Sequence, residues 1–68
     1  MDVRLKIKAI IEDRASSRSE IARRVGMTQQ TFSSILLCKR KLYATEFLSI
    51  CKALNMSAEE VENYTSNN

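Results

Sequence analysis

The amino-acid sequence predicts an all-α fold, a compact bundle of five short helices. Three observations lead there. Helix-start residues precede the apolar segments at Asp2, Ser17, Thr28 and Ser57. Within those segments apolar residues recur at spacings of three and four. The one stretch of apolar–polar alternation, Val3 to Lys8, has no second strand-like segment to pair with.

That first stretch fits two patterns. Val3-Arg4-Leu5-Lys6-Ile7-Lys8 alternates as a strand does, while Val3, Ile7, Ile10 and Ile11 make a helical stripe behind a good N-cap, Asp2. With everything downstream helical, the segment is assigned to a first helix, about Val3 to Asp13. Ala15-Ser16 links it to a second helix, about Arg18 to Val25. Ser17 caps this helix, and Glu20, three residues on, is spaced to reach back to the Ser17 amide in a capping box. Ile21, Ala22 and Val25 share one face. Gly26, the only glycine in the chain, stands where a helix closes in a left-handed residue. Met27 follows, and Thr28 caps a third helix, about Gln29 to Leu37, with Phe32 and Ile35 inward.

Lys39 to Leu42 form a basic loop. A fourth helix, about Ala44 to Leu54, is expected to bury Phe47, Leu48, Ile50, Cys51 and Leu54. Tyr43 and Ala44 offer it no side-chain cap of the usual kind, and Asn55 suits its left-handed close. Ser57-Ala58-Glu59-Glu60 opens a short fifth helix with Val61 and Tyr64 inward. The expected domain is residues 1–64, followed by a frayed polar tail at 65–68.

The 68 residues make one domain, and 44% hydrophobic with 28% charged residues is an ordinary globular balance. There is no histidine, and the only cysteines are Cys38 and Cys51. Two thiols fall short of the four ligands a structural zinc site takes, so neither metal nor cofactor is expected. No nucleophile–base pair, paired carboxylates or phosphate loop is present, and no enzyme is expected. Without a signal peptide or an apolar run of about 18 residues, the protein is expected in the cytoplasm, with both thiols reduced and buried.

The net charge of +3 is unevenly spread. Residues 14–42 contain seven basic residues and one acidic one, Glu20, whereas residues 43–68 carry a net −3. The basic excess surrounds the second and third helices and their following loop, which points to a polyanion as partner. The outward side of the third helix, Gln29, Gln30, Ser33 and Ser34, offers four uncharged hydrogen-bonding side chains, a set suited to base edges in the DNA major groove.

Counted from Arg18, residues Ile21, Ala22, Val25, Gly26, Met27, Phe32 and Ile35 occupy fixed places of a known pattern. The stretch resembles the helix-turn-helix of the Cro/CI-type (XRE-like) family of phage and bacterial repressors. The likeness runs on through Lys39-Arg40-Lys41, Phe47 to Leu54 and Ser57 to Val61, about three quarters of the chain. It implies a lambda repressor-like DNA-binding domain, its helix-turn-helix at about residues 18–37. Consecutive glutamines at Gln29 and Gln30 are similar to the recognition helix of a lambdoid phage repressor. The resemblance implies base contacts from Gln29, Gln30, Ser33 and Ser34. Phosphate contacts are expected from Ser17, Arg18, Thr28, Thr31, Lys39, Arg40 and Lys41, whereas Arg23 and Arg24 read as ordinary surface charges.

Double-stranded DNA carrying an inverted-repeat operator is the implied partner, bound by a homodimer that forms on DNA or before it. Leu37, Leu42, Tyr43, Val61 and Tyr64 are candidates for the dimer contact. A nucleoid-associated location follows, with no membrane or small-molecule partner. The sequence departs from the family pattern at Leu36-Leu37-Cys38, where a polar pair and a glycine are frequent, and at Arg18, commonly glutamine. The competing reading is a protein-interaction module, antitoxin-like or anti-repressor, on the same bundle.

Overall fold

A computed structural model describes residues 2–65, and the end of the expected tail, residues 66–68, lies outside them. Five helices follow in order: α1 Val3–Asp13, α2 Arg18–Arg24, α3 Gln29–Leu36, α4 Ala44–Leu54 and α5 Ala58–Glu62. The segment with two readings is therefore helical. Val25 and Leu37, expected as the last residues of their helices, are the C-caps of α2 and α3.

The predicted N-caps form as hydrogen bonds. The Asp2 carboxylate accepts from the Arg4 amide, Ser17 from Glu20, Thr28 from Thr31 and Ser57 from Glu60. Ser57 and Glu60 complete a reciprocal capping box. At Ser17 only half the expected box forms, because the Glu20 carboxylate turns instead to Arg23 and Arg24. Helix α4 has a cap that the sequence reading lacked. Glu46, three residues on, accepts the Tyr43 amide at 3.1 Å, the carboxylate half of a capping box.

Four helices close by one motif. The left-handed residues are Ala15 (φ 53°), Gly26 (φ 74°), Cys38 (φ 59°) and Asn55 (φ 58°). In each case the amide of the next residue reaches back five positions. Ser16 bonds to the Ile11 carbonyl at 3.0 Å, Met27 to Ala22 at 2.9 Å, Lys39 to Ser34 at 2.8 Å and Met56 to Cys51 at 3.0 Å. This Schellman pairing satisfies carbonyls that a helix end otherwise leaves open.

Packing follows the apolar faces. Helix α1 lies against α3 and α5, α2 against α3 and α4, and α4 against α5. Ile7, Ile10, Phe32, Ile35, Leu36, Ile50 and Val61 are wholly buried, with Ile11, Ile21, Ala22, Cys51 and Leu54 nearly so. The radius of gyration, 10.7 Å, matches the ~11 Å expected of a folded chain this long. One core expectation is corrected. Leu48 is 58% exposed, because it stands about 140° round the helix from the Ile50–Leu54 line that meets the bundle.

Candidate nucleic-acid interface

Helices α2 and α3 meet across a four-residue turn, Val25 to Thr28. Ala22 is 1% exposed at this crossing, where a larger side chain would hold the helices apart. A Cβ on Gly26 would meet nothing within 4 Å, so glycine is favoured there by its backbone alone. On α3, Phe32, Ile35 and Leu36 are fully enclosed, which fixes which way the helix faces. Gln29 and Gln30 are exposed on its first turn, and Ser33 and Ser34 are half-exposed one turn on.

The hydroxyls expected at phosphates already have work within the protein. Ser17 Oγ accepts the Glu20 amide at 3.2 Å and lies 2.9 Å from Ser19 Oγ. Thr28 Oγ1 accepts the Thr31 amide at 3.1 Å and donates to Thr31 Oγ1 at 3.0 Å. Such caps hold the start of α3 rigid, and the Thr31 hydroxyl keeps its proton for another acceptor.

Pairing redistributes the basic excess of residues 14–42. Arg18 lies 3.4 Å from Glu12, and Arg23 and Arg24 share Glu20. The Arg23 guanidinium, chief among these neighbours, holds the Glu20 carboxyl below its usual range. Arg40 donates from both terminal nitrogens to the two oxygens of Glu46, at 3.1 Å each. Arg40 also stands 5.9 Å from the centre of the Tyr43 ring, within cation–π reach. Two of these acids, Glu12 and Glu46, come from outside the basic segment. Lys39 and Lys41 are exposed and have no ion-pair partner among the described residues.

The basic loop is tied down from the far end of the chain. Arg4 Nη1 donates to the Arg40 carbonyl at 2.8 Å, while the rest of its guanidinium clasps Asp2. Sequence reasoning missed both anchors. Glu46 carries a readable signal, its place three residues after the N-cap; nothing local marks Arg4.

The candidate dimer residues separate. Val61 is wholly buried in the core, and Leu42 and Tyr64 pack against it. The Tyr64 hydroxyl donates to Asp13 at 2.6 Å. Val61 is thus corrected from a contact residue to a core residue, because α5 turns its apolar positions, Ala58 and Val61, inward. Leu37 and Tyr43 are exposed at 52% and 59%. Of the thiols, Cys51 is buried and desolvation pushes its pKa up, disfavouring the thiolate, whereas Cys38, expected buried, is only partly covered.

A capped helix, a tight glycine turn and a second helix with a polar outer face define a helix-turn-helix DNA-binding module. The family model for the Cro/C1-type HTH DNA-binding domain matches residues 6–66, and the chain belongs to that family. It is accordingly a DNA-binding regulator with double-stranded DNA as its partner. No curated protein and no solved structure matches it significantly.

Proposed function

We propose that the protein is a sequence-specific repressor that reads the major groove with α3 and binds an inverted-repeat operator as a homodimer. One observation carries this reading. The exposed or half-exposed residues Gln29, Gln30, Ser33 and Ser34 stand on a helix whose opposite face is wholly buried, so these groups meet whatever the helix is laid against. Glutamine amides pair bidentately with adenine N6 and N7, and the serines add less selective donors and acceptors. Lys39 and Lys41 are the natural phosphate contacts, joined by Arg18 from the first turn of α2. In this reading Arg40 acts through Glu46 to shape the loop. Two copies are needed because one domain of this size makes few base contacts, and half-sites about 10–10.5 base pairs apart suit a two-fold dimer.

Selection of bound duplexes from a random DNA pool, at near-physiological salt, tests the reading. The expected result is an adenine-containing half-site repeated as an inverted pair about one helical turn apart. Enrichment of no motif, with affinity vanishing as salt rises, would overturn it and send the search to protein partners. Reporter expression from a promoter carrying the selected site separates repression from activation.

A further inference from the structure

The outer line of α3 ends in an apolar residue. Gln30 and Leu37 are seven positions apart, close to two helical turns, so their side chains leave the helix within about 20° of each other. Leu37 is the C-cap, and its amide still donates to the Ser33 carbonyl at 3.0 Å, so the spacing holds to that residue. Ser33 and Ser34 lie between them, one turn from each. Leu37 is 52% exposed, while its neighbour Leu36 is wholly buried. The polar reading face therefore continues, without a change of direction, into an uncovered isobutyl group.

We propose that Leu37 is a specificity-determining residue that packs on the 5-methyl group of a thymine. The inference rests on the DNA-reading function proposed above and names a further contact within it. A major-groove edge offers amino, carbonyl and ring-nitrogen groups that leucine cannot satisfy, and one apolar group, the thymine methyl. The rise from Gln30 to Leu37 is about 10 Å, or roughly three base-pair steps of ~3.4 Å. The thymine accordingly lies no more than about three base pairs from the pair read by Gln30, and fewer if α3 is tilted to the DNA axis. Being exposed, Leu37 is replaceable without disturbing the core.

The test uses the full chain and its selected DNA site. Each thymine is replaced in turn by deoxyuridine, which removes only the methyl group, and binding is measured for the wild-type protein and for Leu37→Ala. In the wild type, one thymine per half-site should lose about four-fold in affinity on losing its methyl, the equivalent of one buried carbon. That loss should vanish in Leu37→Ala, whose affinity for the unmodified site is already lowered. If every thymine methyl acts alike in the two proteins while Gln30→Ala still alters base preference, the Leu37 assignment is overturned and the DNA reading stands. If Leu37→Ala instead shifts the concentration at which two copies associate, leaving the methyl response unchanged, Leu37 is a contact between copies and the assignment is again overturned. A wild-type protein with no base preference would sink both readings.

Discussion

Arg40 and Glu46 form a two-pronged pair at 3.1 Å on each prong, and the same Glu46 accepts the Tyr43 amide that starts α4. One carboxylate thus closes the loop after α3 and caps the next helix. The Arg40 guanidinium, followed by the Tyr43 amide, holds the Glu46 carboxyl below its usual range. This bond makes Arg40 unlike the two lysines beside it, although all three are basic residues in one loop.

The difference is measurable in DNA binding. Lys39→Ala and Lys41→Ala should each weaken binding to all sequences evenly and lower the slope of log K against log salt by about 0.9, with the melting temperature unchanged. Glu46→Gln keeps the shape but removes the charge, and it should lower the melting temperature by several degrees. Salt titrations beside thermal melts check both, and a Glu46→Gln protein as stable as wild type would remove the anchoring role.

Left-handed residues offer a second test. Ala15 and Cys38 hold φ of 53° and 59°, a region that costs an L-residue about 1–2 kcal/mol. Part of the gain from glycine is lost to its greater freedom when unfolded. Ala15→Gly and Cys38→Gly should each therefore stabilise the protein by a net ~0.5–1 kcal/mol. The reverse change, Gly26→Ala, should destabilise by about 1 kcal/mol, a backbone cost alone. Urea unfolding of the three variants provides the check.

Acid should destabilise this protein, and neutral pH should leave it indifferent. Asp2 is held down to about 2 by its hydrogen bonds to Arg4, and Glu20, Glu46 and Glu60 are lowered through Arg23, Arg40 and the Ser57 amide. Carboxyls with folded values below unfolded ones of about 3.9–4.3 contribute stability that is complete above that range. It is lost as pH falls through the folded values. With no histidine in the chain, melting temperature should be flat from about pH 7.5 to 5.5 and drop between roughly 4.5 and 2. At the alkaline end, Cys51 and Tyr64 are both raised, so stability should decline once their ionisation becomes favourable in the unfolded chain. Melting curves across pH test each limb.

Base readout has its own signature. Gln30→Ala should cost about 1–3 kcal/mol at the selected site and relax preference at one base pair. Phe32→Ala removes a wholly buried ring and should cost about 3–5 kcal/mol, enough to unfold a small domain before any base contact matters. Circular dichroism beside binding assays distinguishes the two.

Much of the fold was legible because the signals are local. Asp2, Ser17, Thr28 and Ser57 cap residues two or three positions away, and Gly26 and Asn55 are residue types that accept a left-handed turn. The reciprocal bond from Glu20 was misread for a reason equally close at hand. Arg23 and Arg24, within one turn, compete for the same carboxylate and win it by charge. Leu48 was misassigned because hydrophobicity indicates what can be buried, not how wide a stripe the neighbouring helices cover.

By itself, the sequence determined five helices, the turn between α2 and α3, and four polar side chains along the outer side of α3. Each depends on hydrogen bonds or periodicities that span no more than a few residues. Tertiary structure alone decided the rest. Arg4 holds the Arg40 carbonyl across 36 positions, Tyr64 holds Asp13 across 51, and Arg14 donates to the Leu54 carbonyl across 40. Which cations are left unpaired is set nearer by, at Glu12 and Glu46, six positions from Arg18 and Arg40, whereas which leucines remain uncovered depends on those distant meetings. They are made by packing between distant segments, and no local pattern encodes who will stand opposite whom.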